Sequence, residues 1–144
     1  MIFLKRALLN LLTVFLILLL CSPASAQWRK IQEFKKVEVA FNMIHEDLII
    51  KKGQFDFEVW NNRSLNMFQL KIIKKGKALC VLPGKVLRDE LPGARGQKME
   101  EVPEEPTLKM TRIPARKIAY IIFETGKLTQ LFPGYIIRFE VGYE

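Results

Sequence analysis

This chain of 144 residues has one histidine and two cysteines. Past residue 26 it has a single serine, Ser64. These shortages exclude most hydrolytic and redox chemistry. A serine nucleophile needs a base beside it and a tight turn to present it, but Ser64 lies between Arg63 and Leu65 and would have to recruit His45. Pairing Cys80 with His45 is no better. Cys80 sits in the apolar run Ala78-Leu79-Cys80-Val81-Leu82, which does not lower a thiol's pKa. There is no haem-attachment motif, no zinc spacing and no glycine-rich phosphate loop. The carboxylates at Glu100, Glu101, Glu104 and Glu105 are flanked by prolines and read as a solvated loop face rather than a glycosidase pair. The chain therefore reads as non-enzymatic.

A well-marked leader opens the sequence. Lys5 and Arg6 precede an apolar run from Ala7 to Leu20, and Ala24-Ser25-Ala26 follows with small residues where a signal peptidase cuts. The run is shorter than the ~20 residues of a spanning helix, so residues 1–26 are expected to be a signal peptide. An uncleaved membrane anchor is the alternative. Cleavage removes two cations and no acid, so the formal charge falls from +8 to +6 and the mature protein stays basic. Such an exported protein is expected to be periplasmic and to meet an acidic protein surface or anionic headgroups rather than nucleic acid. Cys21 leaves with the leader. Cys80 is then alone and reads as a buried, inert thiol, with a metal ligand or an intermolecular bridge as the other readings.

Residues 27–144 are enough for one domain. Phe55, Phe57 and Val59 alternate with Asp56, Glu58 and Trp60. After the break at Asn61-Asn62-Arg63-Ser64, the period resumes at Phe68, Leu70 and Ile72, which predicts a central hairpin. Val37, Val39, Phe41 and Met43 predict a strand before it, with Gln27 to Glu33 as a polar lead-in and a turn over Ile44 to Asp47. A short strand around Cys80 is expected to end at Pro83-Gly84. Residues 83–107 then read as a long loop, with a single helical turn near Val86 to Leu91. Leu108 and Met110 begin another strand that closes near Ile113-Pro114. Ile118 to Phe123 is apolar on both faces, as in a strand covered on two sides. After Phe132-Pro133-Gly134, the alternation of Tyr135, Ile137, Phe139, Val141 and Tyr143 predicts the last strand. The fold class is all-β, an antiparallel Greek-key β-sandwich.

Several of these elements resemble a cupredoxin domain. The segment DLIIKKGQFDFEVWNN is similar to that family's strand, lysine-glycine turn, alternating strand and closing asparagine. Phe68 matches the aromatic after its first copper histidine. Ile113-Pro114-Ala115-Arg116-Lys117 and Phe132-Pro133-Gly134-Tyr135 are similar to its penultimate strand and its proline-glycine-tyrosine turn. A generic immunoglobulin-like sandwich shares such framework positions. The resemblance implies a cupredoxin-like frame without its metal. Asn66 stands at the first histidine position, with Met67 beside it, and the closing cysteine, histidine and methionine loop does not follow Tyr135. A blue-copper centre needs two imidazoles and a thiolate, and one copy of this chain cannot supply them.

Two functional readings follow. The first is an accessory or binding subunit of a periplasmic or membrane-associated complex. Its contacts would be the basic turns at Lys51 and Lys52 and at Lys74, Lys75 and Lys77, joined by Arg63 and the aromatic Trp60. The second is weak copper binding through Met43, His45 and Met67. Asn62-Arg63-Ser64 also fits the glycosylation acceptor pattern.

Overall fold

The computed structural model describes residues 1–20, 27–88, 103–127 and 134–144. The N-terminal segment forms helix α1 (Ile2–Leu20), whose side chains at Leu4, Leu8, Leu11 and Phe15 are exposed and lie outside the core. Among the described residues, no helix is long and apolar enough to cross a membrane. The expected cleavage region, residues 21–26, lies outside the described residues, as do Glu100, Glu101, Phe132 and Pro133.

The other described residues are all-β. The central hairpin is present: β4 (Gly53–Asn62) and β5 (Met67–Lys74) pair antiparallel, with Phe57 opposite Ile72 and Val59 opposite Leu70. Phe55, Phe57, Val59, Phe68, Leu70 and Ile72 are all buried, as the two-residue period requires. On one side of the hairpin lies β1 (Trp28–Val39), paired with β4 and bulged near Ile31 and again between Phe34 and Val37. The expected polar lead-in is thus part of this strand. The strand does not run on to Met43, however. Asn42 turns the chain out, its side-chain Oδ1 accepting from the Lys52 amide at 2.9 Å and its carbonyl from the Glu144 amide at 3.2 Å. Met43 opens a separate strand, β2 (Met43–His45), which forms a miniature hairpin with β3 (Leu48–Ile50). The turn expected over Ile44 to Asp47 therefore contracts to Glu46 and Asp47.

On the other side of the hairpin, β6 (Lys77–Arg88) corrects the expectation that Pro83-Gly84 ends a short strand, and with it the start of a loop at residue 83 and the helical turn near Val86 to Leu91 as far as Arg88; residues 89–102 lie outside the described residues. The first part of β6 pairs with β5 up to Pro83, and the second part pairs with β9 (Ile136–Tyr143) from Gly84 onward. A proline fits here because, among the described residues, this part of β6 has a neighbour on one side only. Gly84 is required by close approach. A Cβ there would lie 2.7 Å from Ile137 Cγ2 and from Phe139 Cε1, so only glycine lets β6 cross from one partner to the other.

The last strands form where the sequence places them. β7 (Thr107–Ile113) and β8 (Ile118–Glu124) flank a 3-10 turn at Pro114–Arg116, and β8 pairs with β9 along its whole length. The hydrogen-bonded path β1-β4-β5-β6-β9-β8-β7 makes one curled antiparallel sheet. Ala119, Ile121, Phe123, Ile137, Phe139 and Val141 on its later strands close over the hairpin's buried row to form the core. The outward side chains of β8, including Ile118, Tyr120 and Ile122, are half-exposed, so this strand is covered on one face rather than two.

Candidate functional site

Two turns bring the basic residues together. The β5–β6 connection is Lys75-Gly76, with both residues at positive φ (52° and 76°) and Lys74 directly opposite Lys77. This is the two-residue turn whose twist suits a hairpin. The β3–β4 connection, Lys51-Lys52, lies beside it: Lys74 Nζ is 3.9 Å from where a Cβ on Gly53 would sit. Lys51, Lys52, Lys74, Lys75 and Lys77 are all exposed. None forms an ion pair with a described residue, whereas Lys30, Lys35 and Lys127 do. The Lys74 ammonium lies 5.3 Å from the Phe55 ring centroid, which steadies its stem over the end of the core. Five cations of one sign at one end of the sheet form a concentrated field that ordinary salt screens only beyond ~8 Å.

Trp60 and Arg63 do not join this cluster. Arg63 is exposed in the β4–β5 turn, at the far end of β4 from Lys52. Strand rise puts the two ends roughly 30 Å apart. Trp60 lies on the outer face of β4, where its Nε1 donates to Glu58 Oε2 at 2.9 Å and the Lys71 ammonium lies 3.9 Å from its ring centroid. Lys30 reaches the same Glu58 carboxylate at 3.5 Å. Trp60 is therefore held in a network within the sheet face.

The proposed copper ligands are dispersed as well. Met43 has no exposed surface and belongs to the core. Met67 begins β5 and is 46% exposed. His45 ends β2 and lines an open cleft of about 530 Å³ together with Glu46, Asp47, Leu48, Leu79, Cys80 and Val81. His45 and Cys80 thus line one cleft. No spacing in the sequence signals this, because it depends on β6 peeling away from β9 at Gly84. Cys80 is half-buried, and burial pushes its thiol up to about 11. Among the described residues, no group of three or more His, Cys, Asp or Glu is placed to hold a metal ion. Asn62, the glycosylation candidate, is fully buried: its Oδ1 accepts from the Leu65 amide at 3.3 Å and its Nδ2 has no hydrogen-bond partner among the described residues.

No family model, curated protein or solved structure matches the chain.

Proposed function

We propose that this chain is an exported, non-enzymatic binding domain, an accessory subunit that engages an acidic surface of another protein at the outer face of the cytoplasmic membrane. In this reading its frame is a degenerate relative of the cupredoxins. The observation that carries it is the convergence of Lys51 and Lys52 with Lys74, Lys75 and Lys77 from two separate turns, all exposed and without an ion pair to a described residue. Unpaired like charges repel one another, and an acidic partner relieves that repulsion while speeding encounter. Lys5, Arg6 and the apolar helix α1 support export.

The test is capture from detergent-solubilised native membranes. The unaltered chain retains a stoichiometric partner protein, and the variant with all five lysines changed to glutamate loses it. Equal capture by both would contradict the proposal.

A weak copper site is the second reading. It is favoured by the placement of His45 and Cys80 along one cleft, which replaces Met43 and Met67 as the donors of interest. Two donors hold a metal loosely, and the raised thiol pKa favours the protonated form that does not ligate. Copper bound one to one after purification, and lost in His45→Ala, would support this reading.

A further inference from the structure

We infer that the outward face of β7, β8, β9 and the second part of β6 docks on an anionic lipid membrane through the phosphates of its headgroups. Ala119, Ile121, Phe123, Ile137 and Phe139 are buried, so the residues between them point away from the core. The register then aligns Lys109, Ile122, Arg138 and Lys85 in one row across four neighbouring strands, roughly 14 Å wide. A second row, Thr111, Tyr120 and Glu140, lies beside it. Tyr120 gathers two guanidinium groups. That of Arg138 lies 4.4 Å from its ring centroid, and Arg116 Nη1 donates to its hydroxyl at 3.4 Å.

Charge on this face has no internal answer. Lys85 stands directly opposite Arg138, a like-charge pair that costs the sheet stability. Lys85, Lys109 and Arg116 are exposed, and none of the four cations forms an ion pair with a described residue. Glu124 and Glu140 are the carboxylates in the described rows of the face, so cations outnumber them two to one. Arg112 is not among these cations, because it turns to the Phe41 and Tyr143 rings. The outward face of β1, β4 and β5 differs. There Lys30 reaches Glu58 at 3.5 Å, Trp60 donates to the same carboxylate, and the Lys71 ammonium lies 3.9 Å from the Trp60 ring centroid. One outward face neutralises its own charges and the other does not.

The rest of the chain selects lipid as the occupant. Half-exposed Ile113, Ile118 and Ile122 share the cationic face, so lysine and arginine stems lie over apolar surface with their charges at headgroup level. Helix α1 supplies a second apolar element. Leu8, Leu9, Leu11, Val14 and Ile17 lie on different sides of it, each more than half exposed, and none belongs to the core cluster. A helix apolar around its circumference needs an apolar surrounding. Stable attachment to a membrane takes two signals, such as an apolar anchor and a basic patch, and each cation near an anionic surface strengthens it. An acidic protein would suit the charge of this face but would leave α1 uncovered. The inference rests on the proposed place at the membrane and not on the lysine turns.

The test uses the full chain with Cys21 and Cys80 changed to alanine and a fluorophore on Thr111→Cys, an exposed position of this face. It is reconstituted into phosphatidylcholine vesicles with or without phosphatidylglycerol, all carrying a headgroup-linked quencher, and quenching is read on the vesicle-bound protein. Phosphatidylglycerol is expected to raise quenching at Thr111→Cys at least threefold, and to raise it by less than half as much at a Ser64→Cys label in the β4–β5 turn. Lys85→Gln with Lys109→Gln alters exposed side chains only and is expected to remove at least half of the gain. Adding Arg116→Gln and Arg138→Gln removes the rest. With the five turn lysines changed to glutamine, the protein partner is lost and the gain stays. Equal quenching at the two labels, no dependence on phosphatidylglycerol, or a gain that survives all four substitutions would each overturn the inference. Loss of the gain in the five-lysine variant would overturn it in favour of the lysine turns as the lipid contact.

Discussion

The rings of Phe34 and Phe123 meet with centroids 6.0 Å apart and planes inclined by 75°. Their strands lie near opposite ends of the hydrogen-bonded path, so this contact joins parts of the curled sheet that no backbone ladder connects directly. Phe123 is fully buried and Phe34 half-buried. Phe123→Ala is expected to destabilise by about 3–5 kcal/mol through the cavity it leaves. The Phe34–Phe123 coupling in a double-mutant cycle should be about 0.5–1.5 kcal/mol. Urea unfolding of the four variants measures both. A coupling indistinguishable from zero would mean that the edge-to-face contact does not hold the curl.

Gly84 is predicted to be intolerant for a reason separate from backbone freedom. A methyl group there enters the space of Ile137, Phe139 and Phe68 at 2.7 to 3.1 Å. Gly84→Ala should therefore cost about 1–3 kcal/mol by overpacking. At Gly76 a methyl group meets nothing within 4 Å, but φ is +76°, so Gly76→Ala should cost only the ~1–2 kcal/mol of a left-handed residue. Thermal melts of the two variants give the order. In the Ile137→Ala background, which lacks the crowding Cγ2 methyl, a smaller Gly84→Ala cost would identify crowding as its cause.

The Cys80 thiol gives a pH signature. Its pKa rises from 9.0 to about 11 through burial. In the unfolded chain the thiol loses its proton near the lower value, while the folded chain keeps it longer. Between these values the folded state binds more protons, so its stability, full below pH 9, falls as pH rises toward 11. Iodoacetamide at pH 8.5 should modify the native protein much more slowly than the urea-unfolded one. Urea midpoints from pH 8 to 11 should decline less steeply in Cys80→Ala.

Much of the fold was legible because the period of two is a direct record of burial. Phe55, Phe57 and Val59, then Phe68, Leu70 and Ile72, and finally Ile137, Phe139 and Val141 each face the core as their spacing predicts. The alternation fails as a guide where a strand changes partner. Pro83-Gly84 reads locally as a stop, yet β6 passes through it because Gly84 fits between Ile137 and Phe139, a contact set by residues more than fifty positions away. Cys80, on the part of β6 before that crossing, lines one cleft with His45, which no spacing in the sequence signals. Met43 shows the opposite limit. Beside a histidine it resembles a ligand, and full burial makes it a core residue. The lysines were visible as basic turns, but their meeting at one end depends on the register that sets Lys74 against Gly53.

The salt dependence of partner affinity tests the central claim most directly. The captured partner should be titrated with the chain by calorimetry from low to high ionic strength. The lysine cluster predicts that affinity falls steeply with salt, that reversing all five lysines abolishes the slope, and that Arg63→Glu, at the far end of β4, leaves it unchanged. An affinity independent of salt, or one that survives the five-lysine reversal, would contradict the account.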